Sequence, residues 1–240
     1  GAKAGKDRLL ALSHPGWIVG QSYMYTAPLC ARVTSVALEG SPIRPNHMRF
    51  AEVIVRHRVT ILKTVSTFLR EIMSYPDAIK SLRQDFDLAA CLRVIAFCGE
   101  PLLPQVQAFS MQNLCAHPIN AYWSTEHGDI VWTRFFGSKD QLLVANAHTW
   151  PLPWIRARVL RSRDGQVLSW DSNDDALQDL GLQEEGPVVI AQSARHGQSG
   201  DVAVLAPFPY LFRCVWGDAD RVLHKSWKGD VDIYLSRYWH

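Results

Sequence analysis

The run Asn120–Gly128, which reads NAYWSTEHG, gathers aromatic, hydroxyl and acidic side chains within a few positions of one another. The phenol of Tyr122 offers a flat face on which an adenine ring could stack, and Thr125 offers a hydroxyl to a phosphate oxygen. The carboxylate of Glu126 is the kind of hard oxygen ligand that Mg²⁺ prefers. A nucleotide with its metal ion therefore suits this run, whereas the alternative is a polar loop around a buried aromatic pair.

A second candidate is the tripeptide Gly99-Glu100-Pro101, which follows an apolar stretch. Glycine allows the backbone to approach a ligand closely, and proline fixes the conformation of the turn. A plain strand-to-helix turn has a similar composition, so the tripeptide alone does not indicate a site. Its meaning depends on the elements around it.

Both candidates follow segments that are typical of buried strands. Leu92–Phe97 is apolar apart from one arginine, and a short apolar segment precedes Asn120. Between them, Pro104 suits the first position of a helix. The apolar side expected for this helix consists of Val106, Phe109, Met111 and Leu114. Neighbouring strand ends with polar loops are where an open α/β sheet binds its ligand.

Strand and helix patterns alternate over the first part of the chain. The expected strands are Arg8–Ser13, Arg32–Leu38 and Val59–Leu62, and the expected helices are Ile18–Cys30, Asn46–His57 with an asparagine cap, Ser66–Met73 and Pro76–Arg83. This alternation predicts an α/β fold, with a mostly parallel sheet and flanking helices. We expect residues 1–148 to form this subdomain.

The pattern then changes to short strands. Ile130–Phe136 and Trp154–Leu160 are expected to be strands, and Arg163-Asp164-Gly165-Gln166 is a hairpin signal. Pro187–Ala191 is expected to be a further short strand. We therefore predict that residues 149–240 form a small antiparallel β subdomain.

The composition limits the range of partners. Hydrophobic residues make up 48% of the 240 residues, charged residues make up 20%, and the net charge is +2. Such a charge gives no field that would attract nucleic acid, and no basic run is present. No apolar run approaches the ~18 residues of a membrane-spanning helix, and the first residues lack a secretory apolar segment. We expect neither a nucleic acid nor a membrane as partner.

The five cysteines are scattered and odd in number, and no CxxC pair occurs. This spacing favours free thiols over a disulfide scaffold or a zinc site. Free thiols persist in reducing compartments, so we expect a cytoplasmic protein.

Other catalytic signatures are absent from the sequence, which contains no G-x-S-x-G, H-E-x-x-H or G-x-G-x-x-G motif. His127, beside Glu126, could act as a general base. Its alternative role is to hold the loop through a hydrogen bond.

Several motifs occur in a fixed order along the chain. They are GWIVGQSY at Gly16–Tyr23, Glu39-Gly40, VTILKTVST at Val59–Thr67, Gly99-Glu100-Pro101 and YWSTE at Tyr122–Glu126. In this order they resemble the AMP-forming acyl-CoA synthetases of the adenylate-forming superfamily, closest to the acetyl- and propionyl-CoA synthetases. The resemblance covers most of the chain, and linked motifs are more specific than any single one.

The resemblance implies a ligase reaction in two steps. A carboxylate attacks the α-phosphate of ATP to give acyl-AMP and pyrophosphate, and the thiol of coenzyme A then displaces AMP. The implied ligands are ATP or AMP, Mg²⁺, coenzyme A and a small carboxylic acid.

The same resemblance implies a role for individual residues. Thr125 and Glu126 are the implied catalytic residues, with Glu126 also the Mg²⁺ ligand, and Val65 lines the path of the coenzyme A thiol. The implied nucleotide-binding residues are Gly99, Glu100, Pro101, Asn120, Ala121, Tyr122, Trp123, Ser124 and Thr125. The implied acyl-pocket residues are Trp17, Ile18, Val19, Cys98 and Trp123.

Trp123 implies a small acid. Long-chain relatives have a small residue at this position, and an indole would fill the tunnel that a long acyl chain occupies. Acetate or propionate is therefore the expected acid. Val19 stands where the acetate-specific type has threonine, and Val65 stands where alanine is usual in the family.

Two parts of that family's machinery are not found in this sequence. They are the Gly/Ser/Thr-rich phosphate loop with its lysine and the Gly-Asp-Gly that introduces the carboxyl-terminal domain; the sequence ends instead in Arg237-Tyr238-Trp239-His240. One hypothesis is an internal piece of a longer synthetase, inactive alone, whose partner is the rest of its own chain. A second is a degenerate relative that serves as a non-catalytic binding or interaction module. A third is a small-ligand binder unrelated to ATP.

Overall fold

The computed structural model describes the first part of the chain and separate segments further on. The described residues are 2–134, 150–155, 157–160, 162–163, 166–167, 201–204 and 208–211. The chain divides into two compact units, residues 1–152 and residues 153–240. The predicted division after residue 148 stays a prediction, because residues 135–149 fall outside the described set.

The first unit is built on a seven-stranded sheet with the order β2-β1-β3-β4-β5-β6-β7. Its strands are β1 Arg8–Ala11, β2 Thr34–Val36, β3 Ile61–Thr64, β4 Val94–Cys98, β5 Pro118–Tyr122, β6 Trp132–Thr133 and β7 Trp150–Pro151. Strands β1 to β5 are parallel, and β6 and β7 extend the sheet antiparallel at one edge. The predicted α/β fold with a mostly parallel sheet is confirmed.

Helices pack on both faces of this sheet. They are α1 Ile18–Gly20, a π-helical stretch Gln21–Thr26, α2 Ala27–Ala31, α3 Arg49–His57, α4 Ser66–Met73, α5 Pro76–Asp85 and α6 Pro104–Asn113. Because side chains alternate along a strand, Leu62 and Phe97 pack into a large core with α3 to α6. Cys98 and Ala121 lie on the other face, where they pack with Val19. Among the described residues, none of the helices is both long and apolar enough to cross a bilayer.

The predicted helix Ile18–Cys30 is correct in extent but not in geometry. Gln21–Thr26 is π-helical, and the N–H of Ala27 donates to the carbonyl oxygen of Ser22. Pro28 explains the difference, because it has no N–H to donate and its ring clashes with the carbonyl four residues earlier. A wider turn before the proline accommodates both effects.

Two further expectations are wrong in detail. Helix α3 begins at Arg49 rather than Asn46, whose side-chain oxygen accepts a hydrogen bond from the N–H of Met48 at 2.8 Å. Asn46 therefore forms a turn before the helix instead of capping it. Met111 is 38% exposed and does not belong to the buried side of α6.

Strand β3 extends further than the apolar pattern predicts. The pattern ends at Leu62, but the strand continues to Thr64 and buries Lys63, which is 1% exposed. Strand β3 is central in the sheet, between β1 and β4. A lysine in a central parallel strand is unusual, because such strands are apolar on both faces.

An ion pair lies at the amino-terminal ends of the parallel strands. Asp7 is 3% exposed and accepts hydrogen bonds from Nη2 of Arg93 at 2.5 Å, the hydroxyl of Thr60 at 2.9 Å and the N–H of Lys3 at 2.6 Å. Burial acts to raise the pKa of Asp7, but these hydrogen bonds and the Arg93 charge outweigh it and lower the pKa. The pair ties the start of β1 to the start of β4.

The second unit, taken by itself, contains paired antiparallel strands. They are β8 Ala157–Leu160 with β11 Asp201–Val204, and β9 Ser162–Arg163 with β10 Gln166–Val167. The second pair is the predicted hairpin. The strand expected from Trp154 begins instead at Ala157; Trp154 lies in a turn, and its indole N–H donates to the hydroxyl of Tyr210 at 2.8 Å. The strand predicted at Pro187–Ala191 falls outside the described residues.

Candidate functional site

The two candidate loops are neighbours at the carboxyl-terminal edge of the parallel sheet. Strands β4 and β5 pair with Cys98 opposite Ala121. The turn that begins at Gly99 and the loop that begins at Trp123 therefore leave the sheet close to each other. Open α/β sheets bind their ligands at this edge.

Gly99, at the start of the turn, lies against Trp17, a residue of the predicted acyl pocket. Its φ is +82°, in the left-handed region that favours glycine. A Cβ at this position would lie 3.2 Å from Cη2 of Trp17. Glycine is required here for two reasons, the backbone conformation and the close approach of the indole.

The carboxylate of Glu100 binds the first turn of helix α4. Its Oε1 accepts a hydrogen bond from the N–H of Thr67 at 2.5 Å, and its Oε2 accepts one from the Thr67 hydroxyl at 2.6 Å. Nη2 of Arg70 lies 3.5 Å from the same Oε2. The carboxylate satisfies an N–H group that the helix leaves unpaired at its start. A nucleotide-binding role for Glu100 and for exposed Pro101 stays a prediction. Because the Glu100 carboxylate binds α4, main-chain atoms of the turn would make the contacts with the nucleotide.

Asn120 carries a buried amide that no described group satisfies. Its side chain is 5% exposed, and neither Oδ1 nor Nδ2 has a hydrogen-bond partner among the residues that the structure describes. Asn120 pairs with Phe97, which pairs with Thr64. The Thr64 hydroxyl is also buried, and no described residue forms a hydrogen bond with it. An unsatisfied buried polar group costs about 1–3 kcal/mol. A polar ligand that met the amide would remove this penalty.

His127 fixes the loop that carries Thr125 and Glu126. Its Nδ1 accepts a hydrogen bond from the backbone N–H of Ser124 at 2.9 Å, and the backbone N–H of His127 donates to the carbonyl oxygen of Ser124 at 3.2 Å. The imidazole is 1% exposed, and burial lowers its pKa to about 4 despite the opposing charge of Glu126. His127 is thus a neutral positioning residue, and the loop leaves Thr125 exposed and Glu126 half-buried.

Tyr122 ends strand β5 beside this loop. The ring is half-buried, and its centroid lies 6.0 Å from that of His127. Burial raises the pKa of the phenol, so that it is neutral at physiological pH. A neutral aromatic ring of this kind suits stacking against a nucleobase.

The predicted acyl-pocket residues come together on the opposite face of the sheet. Val19, Cys98 and Trp123 are each at most 7% exposed and pack with Ala121. Ile18 and Tyr23 pack against this group, which we call the acyl cluster. The Tyr23 and Trp123 rings meet edge to face, with 6.3 Å between centroids. Trp17 lies beside it at Gly99.

Val65, the residue predicted to line the coenzyme A path, lies directly before helix α4. Its backbone is extended, and its half-buried side chain packs against the large core. The extra methyl groups relative to alanine therefore contribute to packing. Its role toward coenzyme A stays a prediction.

The Glu126 carboxylate is suited to a magnesium ion that is coordinated partly by the protein and partly by a bound ligand. Within the described ranges there is no group of three or more His, Cys, Asp or Glu side chains that could hold a metal alone. Magnesium is usually bound by one or two carboxylates together with substrate phosphates and water. A single half-buried carboxylate next to Thr125 matches that mode of binding.

Comparison with known families gives independent information on the ligand of these two loops. A family model described as AMP-binding enzyme matches residues 1–192. The chain belongs to the AMP-binding enzyme family. The matched AMP-binding region contains all five parallel strands and both candidate loops.

Curated relatives from the AMP-binding family are similar to most of this chain. The acetyl-coenzyme A synthetase of Paraburkholderia phymatum is 30% identical over 210 residues, which is 86% of this chain and 27% of that protein. The acetyl-coenzyme A synthetases of Ralstonia pickettii and Streptomyces coelicolor are 30% and 29% identical, over 86% and 88% of this chain and 27% and 28% of their own lengths. The chain spans about a quarter of the length of these curated relatives.

Sequence reasoning missed two features of the site. The first is the set of contacts between Glu100, Thr67 and Arg70, which local patterns do not reveal because Glu100 lies 33 and 30 positions after Thr67 and Arg70. The second is Lys63, buried in the middle of the sheet. Its signal was available in the sequence, since a lysine lies between Leu62 and Thr64 inside a run that is otherwise typical of a strand.

Proposed function

We propose that this chain is the central part of an ATP-dependent, AMP-forming short-chain acyl-CoA synthetase. The whole protein would convert a small carboxylic acid and ATP to acyl-AMP and then transfer the acyl group to coenzyme A. The observation that carries the proposal is the buried amide of Asn120, which has no partner among the described residues and lies beside both loops. Membership of the AMP-binding family indicates the ligand that would meet it.

Adenine is complementary to this amide. An asparagine side chain can accept a hydrogen bond from the 6-amino group of adenine and donate one to N7. The ring of Tyr122 would stack on the base, and the backbone of the turn that begins at Gly99 would form the opposite wall.

The loop after β5 would hold the phosphates. The hydroxyl of Thr125 would donate a hydrogen bond to an α-phosphate oxygen, and the carboxylate of Glu126 would hold Mg²⁺. Bound Mg²⁺ neutralises phosphate charge and withdraws electrons from the phosphorus. The hydrogen bonds between His127 and Ser124 keep the loop in one conformation, so that it is preorganised for the charge that develops on the phosphate oxygens.

The acyl cluster would receive a short acid. Val19 and Cys98, which pack together with Trp123, would form one wall, and the indole of Trp123 would close the space beyond them. A long chain has no place in such an arrangement, so we infer that the acid is of acetate or propionate size. Acetate is also the acid in the names of the relatives.

The rest of its own synthetase chain would complete this protein. The residues 1–148 and 149–240 would be an α/β and a β-rich subdomain of its adenylation domain, and Val65 would line the coenzyme A path. We also infer a cytoplasmic location. It is supported by the free thiols of Cys30, Cys91, Cys98 and Cys115.

A pyrophosphate-exchange assay on the full-length protein tests this function. With acetate, propionate, butyrate and hexanoate in parallel, we expect exchange with the shortest acids only. Trp123→Gly should shift the preference to longer acids, because it opens the end of the acyl cluster. Trp154→Gly is the control, since Trp154 is an exposed tryptophan of the second unit.

Exchange with no acid would instead support the degenerate, non-catalytic alternative. An unchanged chain-length preference in Trp123→Gly would remove Trp123 from the pocket without affecting the nucleotide site.

A further inference from the structure

Lys63 lies in the middle of the parallel sheet and is almost excluded from solvent. Its side chain is 1% exposed, and its Nζ has no hydrogen-bond partner among the described residues. The ammonium does contact the ring of Tyr23, whose centroid is 4.6 Å from Nζ. Tyr23 belongs to the π-helical stretch, so Lys63 faces the helical segment and not the large core.

One aromatic contact does not compensate a buried charge. The desolvation of an ammonium ion in a protein interior costs more than a single cation–π contact offsets. Buried charges are accordingly paired or hydrogen-bonded. Lys63 is therefore a buried side chain with no anionic partner within the described ranges.

The described residues contain no ion pair to Lys63. Asp129, the acid linked to Tyr23, accepts a hydrogen bond from the Tyr23 hydroxyl at 3.1 Å and another from the N–H of Ile130 at 2.7 Å. Ion pairs within the described part of the chain join Arg70 to Glu100 and Arg93 to Asp7, and neither includes Lys63. An anion for Lys63 is therefore not found in the part of the chain that the structure describes.

Small side chains lie between Lys63 and the acyl cluster on the same face of the sheet. They are Ala11 and Ala96, in register with Lys63, and the pair Cys98 and Ala121 nearer the carboxyl-terminal edge. Tyr23 connects the two places, because its ring contacts Nζ of Lys63 on one side and packs against Trp123 on the other. The ammonium therefore borders the region that the acid would enter.

We propose that Lys63 binds a second carboxylate of the acid, so that the substrate class is a short dicarboxylate. This inference rests on the proposed acyl-CoA synthetase function and refines the identity of its acid. One carboxylate oxygen would form the bond to the α-phosphorus while pyrophosphate leaves, and the second carboxylate would stay unchanged in an ion pair with Lys63. The indole of Trp123 would limit the length, which favours a malonate-sized acid.

The experiment compares malonate with propionate, which differ mainly in the second carboxylate. Pyrophosphate exchange is measured on full-length wild type, Lys63→Met and Lys80→Met; Lys80 is exposed on α5 and serves as the control. We expect wild type to favour malonate and Lys63→Met to lower kcat/KM for malonate by about 10- to 100-fold, the worth of a charged hydrogen bond. The ratio of kcat/KM for malonate to kcat/KM for propionate should therefore fall in Lys63→Met and keep its wild-type value in Lys80→Met.

Thermal unfolding provides a readout that needs no turnover. Malonate should raise the Tm of wild type and Lys80→Met but not of Lys63→Met, at constant ionic strength. Without ligand, Lys63→Met should unfold at the same or a higher temperature, because it removes a buried charge. Lys63→Arg, which keeps the charge, should retain the malonate preference.

Two results would overturn the inference. One is a malonate response that is absent in wild type or unchanged in Lys63→Met. The other is a large drop in the Tm of ligand-free Lys63→Met, which would place Lys63 in an ion pair with a protein carboxylate. Failure of the proposed synthetase function would give a different result. No acid would then support pyrophosphate exchange, but malonate could still raise the Tm in a manner that depends on Lys63.

Discussion

At the scale of single residues, Gly99 holds the turn after β4 in a conformation that other residues reach only at a cost. We expect Gly99→Ala to lower the free energy of unfolding by about 1–2 kcal/mol through its positive φ alone. The loss should be larger because the new Cβ would lie 3.2 Å from the Trp17 ring. Urea denaturation measures this difference.

Gly5→Ala is the matched control for that measurement. Gly5 has φ +68°, but nothing lies within 4 Å of the position of its Cβ. The two variants therefore share the backbone strain and differ in the contact with Trp17. Equal losses of stability would show that the indole gives way freely and that the contact does not constrain the turn.

His127 makes stability depend on pH in a defined direction. Its pKa is about 4 in the folded protein, whereas an unfolded histidine titrates near about 6.5. The unfolded state therefore binds the proton first, and stability should fall as the pH drops from about 6.5 to 4, by up to about 3 kcal/mol. Above about pH 6.5 the histidine contributes no pH dependence.

His127→Asn tests this interpretation, because an asparagine oxygen can still accept the hydrogen bond from Ser124. Urea denaturation at pH 7 and pH 5 should show a smaller loss of stability on acidification in the variant than in wild type. His57→Asn is the control, since His57 is exposed at the end of α3. The same loss in wild type and His127→Asn would contradict a buried neutral imidazole.

At the scale of elements, one carboxylate connects the turn after β4 to helix α4. Glu100→Ala should lower the free energy of unfolding by about 1–3 kcal/mol, the worth of hydrogen bonds to a charged group. It should also speed amide hydrogen exchange at Thr67, whose N–H loses its acceptor. Glu71→Ala is the control on the same helix, where the side chain is exposed.

Unchanged exchange at Thr67 would contradict this connection. It would mean that the first turn of α4 is held by its own packing, through buried Phe68 and Leu69. The turn and the helix would then respond to a ligand independently.

The bounds of helices and strands were predictable where residues that are close in sequence determine them. Ser66–Met73 was predicted with its observed bounds, because apolar residues recur on one side of a helix there. The helix through Pro28 was predicted in extent, but periodicity carries no information on the π-helical geometry that a proline imposes. Asn46 failed as a cap because asparagine also forms turns before helices, and the sequence cannot separate the two.

At the scale of the whole molecule, the sheet order explains why the candidate site could be located from sequence. Alternating strands and helices produce parallel neighbours, so that polar loops far apart in the chain meet at one edge. The pairing of Cys98 with Ala121 brings together the two loops that the motifs identified. Long-range contacts were beyond sequence reasoning, because Lys63 and Tyr23 meet only through the packing of a helix on the sheet.

The central claim is that the edge of β4 and β5 binds a nucleotide through Asn120, and calorimetry with AMP on the full-length protein tests it most directly. Asn120→Leu should weaken AMP binding by about 10- to 100-fold. The ligand-free Tm should stay the same or rise, because an unsatisfied amide is replaced by an apolar group of similar shape. The control is Gln112→Ala on exposed α6 surface, which should bind AMP like wild type. Unchanged AMP affinity in Asn120→Leu would contradict the account.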